Sequence, residues 1–464
     1  MLQREPVKAP TIYGIKQMLD KTISGNDSEK LLAFTTLLTA YTGCQQFLLV
    51  RGSTSVGKNA TVDPCLHLFP QEHVFTMDFS SKTAPWYEHD LTGAKILYAG
   101  ELQKQQDEVK EIIKSMHSRD HKLNEGATRT VTDVANNTTI KQVIEQKTVA
   151  LTFAEEFFDD QLSTRCVTID LPEDWVTNEK IAHFIAKCAE NPFKYEVNQD
   201  EIEGIRNHIY GLPEDCTVVI PYMDIFVRSL DRRYVRIRSD FGKHIALISA
   251  IALFNHRDRY VTEVRGTKTL FATVEDAYIA YTAFGEILSK TTSQLDGIME
   301  MLMRYGQDDE GYMTINDFHK HLSDECSVQI ARRKVEHKLE KLSDNGIFSR
   351  LKEKGTKKYA YNKNAAEDIE KVIWADVVDY ARSSIMKHFP VIWEEYENTS
   401  CKTVVNPLSG ESVDLFEQET MLVPKDVIAR KKEVVEEKKA GTLDGWSYNE
   451  ETVKEDSETD YLRY

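Results

Sequence analysis

Phe47-Leu-Leu-Val50-Arg-Gly52-Ser-Thr-Ser-Val-Gly57-Lys58-Asn59 decides the fold: a short apolar run meets a Gly/Ser loop, and a helix-forming segment follows. An unbroken apolar run of this length marks a strand covered on both faces. G-x-x-x-x-G-K directly behind such a strand is what a phosphate-binding loop requires. The glycines let backbone N–H groups curl around phosphates, Lys58 adds a point charge, and the next helix presents its positive end. Gly52, Ser53, Thr54, Ser55, Val56, Gly57, Lys58 and Asn59 are therefore the candidate ATP contacts. The plainer reading, a Gly/Ser turn carrying a solvated lysine, leaves the preceding strand unexplained. Asn59 departs from the usual Ser/Thr whose hydroxyl binds Mg2+; its carbonyl oxygen is a less usual ligand for a hard cation. Nucleotide binding is thus a firmer expectation than hydrolysis.

Further strand-like runs lie at Val74–Met77, Ile96–Ala99, Val149–Phe153 and Cys166–Ile169. Five short buried strands separated by helices predict a parallel sheet flanked by helices on both faces, an α/β class. The second run leads into Gly100-Glu101, and a carboxylate at a strand end is placed to activate water or face a metal ion. The acid commonly found just before it is replaced by Gly100. Thr152, a polar residue in an apolar strand, is a candidate for the γ-phosphate or the water. Arg165, at the start of the last strand, is a candidate to reach a neighbouring subunit's phosphate. A surface glutamate and a structural salt bridge are the plainer readings of Glu101 and Arg165.

In this order the parts resemble the AAA+ ATPases, closest to minichromosome maintenance helicases and the superfamily 3 helicases of viruses and plasmids. The likeness covers roughly residues 45–290. Arg129-Thr-Val-Thr-Asp-Val-Ala-Asn-Asn-Thr-Thr-Ile-Lys141 looks like the hairpin these helicases insert before the Thr152 strand, although only Lys141 flanks its tip. The stretch from Arg236 through Leu253, followed by Ala272-Thr-Val-Glu-Asp-Ala-Tyr278, looks like the family's helical lid. The resemblance implies a nucleotide-sensing arginine there, with Arg236 or Arg238 as the candidate, and ATP with Mg2+ as cofactors. Asn59 and Glu101 are the candidate metal-side residues. It also implies a homo-oligomeric, most simply hexameric, ring.

A second signal is a basic island. Residues 327–363 hold eleven Lys/Arg against four Asp/Glu in a chain of net charge -17. A helix from about Val328 to Asn345 carries Val335, Leu339 and Leu342 as its buried stripe. Lys334, His337, Lys338 and Lys341 lie on another face. Two β-type runs then flank Lys352-Glu-Lys354-Gly-Thr, with Lys357 and Lys358 beyond. The layout resembles a winged helix, whose helix would enter a DNA groove while the wing touches phosphate. Winged helices that bind only protein are the alternative.

The chain of 464 residues is long enough for about three domains. The expected division is 1–42 helical, 43–172 the AAA+ P-loop core, 173–290 an α-helical lid, 291–364 a C-terminal winged-helix domain, 365–440 a helical extension. Residues 441–464, with seven acids and two bases, read as a disordered tail. Strands are expected to stop past Pro172. The longest apolar stretch, Ile245 to Phe254, is short for a bilayer span, and the first residues lack a signal-peptide core. Seven scattered cysteines without a C-x-x-C pair suit a reducing cytoplasm. Two functions fit: an ATP-driven DNA helicase or replication initiator of a virus or plasmid-like element, or a nucleotide-gated DNA-binding protein with little turnover.

Overall fold

In the computed structural model, β1 (Phe47–Arg51) has β6 (Thr148–Phe153) on one side and β7 (Cys166–Asp170) on the other, both parallel to it. β3 (Ile96–Ala99) and β2 (Val74–Thr76) continue beyond β6, so the sheet reads β2-β3-β6-β1-β7. The residues described are 9–77, 93–100, 112–113, 116, 127–133, 138–154, 165–173, 175–229, 237–292, 301–302, 305–306, 311–324, 330–344, 348–353, 355–362, 372–399 and 403–417. All five strands expected from the apolar runs lie in this one parallel sheet.

The run Phe47–Val50 shows why it reads as continuously apolar. Leu48 and Val50 join a cluster with α1 (Ile12–Asp20), α2 (Asp27–Leu38) and α3 (Lys58–His67). Phe47 and Leu49 face the other way, into a cluster with Ile112, Ile113 and Met116. A strand buried on both faces has no position left for a polar alternation. The N-terminal helices are tied by charge as well: Lys30 is fully buried and its ammonium meets Asp20, Asp27 and the Ile23 carbonyl. Between β3 and β6 in sequence, β4 (Ala127–Asp133) and β5 (Thr138–Ile144) form an antiparallel hairpin, as its two β-type runs suggested; the tip at Asn136-Asn137 lies outside the described residues.

Beyond β7 come α4 (Trp175–Glu190) and α5 (Gln199–Tyr210), then a correction to the sequence reading. Strands do not stop at Pro172. β8 (Thr217–Val219), β9 (Val261–Val264) and β10 (Thr267–Phe271) form a second, three-stranded sheet in the order β8-β10-β9. The missed signal is local: Arg265 and Gly266 both have positive φ, 52° and 79°, the mirror-image two-residue turn that matches strand twist. It joins Val-Thr-Glu-Val to Thr-Lys-Thr-Leu-Phe, both rich in β-branched residues. The helices here are α6 (Met223–Ser229), α7 (Ile237–Phe254) and α8 (Val274–Thr292). α7 and α8 share the apolar cluster of α2 and β1. At the hairpin base, Arg259 donates to both oxygens of the fully buried Asp276 at 2.9 and 2.7 Å; Asp276 also accepts from the Thr273 N–H at the start of α8.

A separate apolar cluster organises residues 301–361. β11 (Met313–Thr314) leads into α9 (Ile315–Asp324) and α10 (Arg332–Asp344). β12 (Phe348–Glu353) and β13 (Thr356–Tyr361) follow, giving the sheet β11-β13-β12. Val335, Leu339 and Leu342 are fully buried, as the helical spacing required. The chain then returns to the main cluster, where Trp374 at the start of α11 (Trp374–His388) meets Phe226, Tyr278 and Tyr281 edge-on. The region expected to be purely helical also holds α12 (Trp393–Thr399) and a β-hairpin, β14 (Thr403–Val405) with β15 (Ser412–Asp414). Asn406-Pro-Leu-Ser-Gly410 turns it, and Asn406 Oδ1 accepts from the Leu408 and Ser409 N–H groups. The acidic stretch 441–464 lies outside the described residues. No described helix is long and apolar enough to cross a membrane.

Candidate functional site

The Gly/Ser loop sits where β1 ends and α3 begins, at the carboxyl edge of the sheet, where ligands of open α/β sheets bind. Its path depends on glycine at two places. Gly52 has φ 154°, and a Cβ there would come within 2.5 Å of Val56 Cγ1. Gly57, at φ 96°, turns the chain into α3. Ser55 also has positive φ, 72°, a strained setting for a residue with a side chain. Lys58 opens the helix and curls back, its ammonium donating to the Gly52 and Ser53 carbonyls at 2.9 and 2.7 Å. Asn59 is exposed on the first helical turn.

The neighbouring strands bring further groups to this edge. Thr152, fully buried, is paired across from Val50 at the end of β6. Arg51 and Asp170 face each other on β1 and β7, joined by a two-pronged ion pair of 2.6 and 2.8 Å. β3 ends at Ala99-Gly100, separated from β1 by β6 alone; Glu101 itself lies outside the described residues.

Sequence reasoning missed Glu173. Just past β7, its Oε1 accepts from the Ser53 N–H at 2.7 Å. This bond to the loop, a further one from the Ser53 hydroxyl and the nearby Lys58 ammonium hold its carboxyl below the usual carboxylate range. The available signal was topological: β7 is the direct neighbour of β1, so an acid three residues past its end returns to the loop.

Arg165 is at the other edge. It precedes Cys166, which pairs with Phe47 at the start of β1. The height of a five-residue strand, about 16 Å, separates it from the chain's own loop. Lys95, Lys147, His73 and Tyr210 line a cavity that also opens at this amino edge, away from the loop. Arg238 lies in the first turn of α7, its side chain outside the description, and Arg236 lies outside it altogether.

On the basic segment, Lys334 and His337 are exposed on α10, and Lys338 is half-buried on the same helix. Lys341 falls on α10 with its side chain outside the description. The turn is shorter than expected: Lys352 and Glu353 are paired strand residues, and only Lys354, outside the described residues, and Gly355 link β12 to β13. Lys352 is exposed. Lys357 is half-exposed and reaches across to α10, bonded to Glu336 at 2.9 Å and also to Glu340. Lys358 pairs with Glu353 at 2.7 Å. Alternation explains this: Lys357 shares the face of buried Tyr359, which covers the helix.

Residues 14–213 match the family model of the MTBMA_p00010 P-loop domain, a span that holds the loop, all five strands of the parallel sheet, most of α1 and all of α2 to α5. No curated protein matches the chain. With that likeness and this loop geometry, residues 14–213 are similar to a P-loop domain, the kind of domain that commonly takes a nucleotide together with Mg2+.

Proposed function

We propose that this protein is an ATP-dependent DNA helicase or replication initiator of a virus or plasmid-like element, working as a homo-oligomeric AAA+ ring. The observation that carries it is the antiparallel hairpin β4-β5 inserted before β6 of the parallel sheet, the insertion implied by the resemblance to minichromosome maintenance and superfamily 3 helicases. In this reading Gly52–Asn59 cradles ATP, and Lys58 leaves its carbonyl partners for the β/γ-phosphates. Glu101 orients the attacking water, helped by Thr152, and Arg238 senses the nucleotide from the lid.

Ring assembly is supported by two features. Arg165 lies at the wrong edge to serve its own loop, so its phosphate partner belongs to a neighbour. α4 and the turn after it leave Trp175, Ile185 and Phe193 exposed at 74%, 62% and 83%, apolar surface of the kind that marks protein contacts. DNA contact falls to the winged-helix-like unit, through Lys334, His337, Lys338 and Lys341 on α10 and Lys352 and Lys354 at the wing. Lys357 and Lys358 contribute less, because glutamates already neutralise them.

The test is ATP hydrolysis by the purified full chain, with and without DNA. Wild type is expected to show DNA-stimulated turnover, Lys58→Ala to lose ATP binding, and Glu101→Gln to bind ATP without turnover. ATP binding with no turnover under any DNA condition would favour the nucleotide-gated binder, which the Asn59 and Gly100 departures support. Equal ATP affinity in Lys58→Ala and wild type would sink the placement of the site.

A further inference from the structure

Gly100 removes the carboxylate that commonly precedes the water-activating glutamate, and the space it leaves is filled. A Cβ on Gly100 would lie 3.4 Å from the Tyr98 hydroxyl, so that hydroxyl stands close to where an acid's side chain would begin. The Tyr98 hydroxyl lies near the Asp63 carboxyl and favours its charged form. Asp63 is on α3, four residues after Asn59, and therefore on the same helical face about 6 Å further along. Its Oδ1 is buried with no hydrogen-bond partner, one of few such atoms among the described residues. A buried carboxylate oxygen without a donor is costly and calls for a missing partner. Burial pushes the Asp63 carboxyl above its ordinary range, although the Tyr98 hydroxyl opposes this.

These residues fit a hydrated divalent cation. Mg2+ sheds water reluctantly and is commonly held through its shell by one or two carboxylates together with the nucleotide phosphates. Asn59 offers a carbonyl oxygen at the head of α3, and Asp63 offers an orphaned carboxylate oxygen one turn below. We propose that Asp63, oriented by Tyr98, replaces the acid missing at Gly100 and holds the water shell of the nucleotide's divalent cation. The site has thus moved its carboxylate from the strand to the helix. This inference rests on ATP binding at Gly52–Asn59.

The experiment is calorimetry of ATP binding to the full chain in Mg2+ and in EDTA, where the ratio of the two affinities reports the metal's share. In Asp63→Asn the ratio should fall by about tenfold, the scale of losing an outer-shell partner, while the EDTA affinity stays within about twofold. Adding Gly100→Asp to that variant should restore the ratio, because the acid returns to the strand. Gly100→Asp alone should leave the ratio near wild type, since an acid already serves the cation; this variant decides the matter if Asp63→Asn does not fold. An unchanged ratio in Asp63→Asn, or a tenfold rise in Gly100→Asp alone, overturns the proposal. Both results are distinct from a wild type that binds no ATP in either buffer, which overturns the nucleotide reading itself.

Discussion

Glu173 shows how one residue can set the readiness of a site. Its carboxylate takes the Ser53 N–H and lies near the Lys58 ammonium, groups that a bound polyphosphate would also draw on. An anion must therefore leave, or shift, before a more highly charged one settles. Glu173→Ala is expected to tighten ATP binding about threefold to tenfold, the worth of one charge-assisted hydrogen bond to an exposed group. Fluorescent ATP-analogue titration of the full chain would measure it. Weaker binding in the variant would mean instead that Glu173 contacts the nucleotide directly.

At the scale of elements, α5 is held to the end of α7 through His208. The imidazole is buried, its Nε2 2.7 Å from the Phe254 carbonyl, and its Nδ1 has no partner. Burial lowers its pKa from the ordinary histidine value, and the Phe254 carbonyl only partly offsets this. A histidine kept neutral in the fold takes up its proton on unfolding, so the unfolded chain gains protons as the pH drops. Stability is therefore complete above the unfolded pKa near 6.5. Below it, stability falls by up to about 1.4 kcal/mol per pH unit until the folded pKa is reached. Urea melts at pH 7.5 and 5.5 should show this loss in wild type and a smaller one in His208→Gln. Equal losses would assign the pH dependence elsewhere.

At the scale of the whole molecule, the arginine and the phosphate loop lie at opposite edges of one sheet, which suits a head-to-tail ring in which each interface joins one edge to the other. Mixing Arg165→Ala with Glu101→Gln subunits tests this. Each variant alone should be inactive, while random mixing at equal amounts leaves about a quarter of interfaces with both intact residues. Partial recovery of ATP hydrolysis is the expected result, and none at any ratio would return Arg165 to a structural role. The interrupted core belongs to the same scale. α8 and α11 share one aromatic cluster around Trp374, although the 301–361 unit with its own apolar core lies between them in sequence.

The sequence by itself determined the parallel sheet and the phosphate loop. Doubly buried strands must be continuously apolar, and a loop that wraps phosphate must place glycine and lysine at fixed steps. It also determined the buried stripe of α10, because Val335, Leu339 and Leu342 repeat with the helical turn. The Val261–Phe271 hairpin was written in its β-branched runs and its Arg-Gly turn, yet a neighbouring helical pattern obscured it. Tertiary structure alone decided what required residues distant in sequence to meet. Glu173 reaches Ser53 only because β7 adds beside β1, and Lys357 meets Glu336 and Glu340 only because β13 covers α10. Asp63 reaches Tyr98 only because α3 packs over the sheet. No spacing along the chain records such pairs, because strand order and helix docking are settled by where apolar faces find cover.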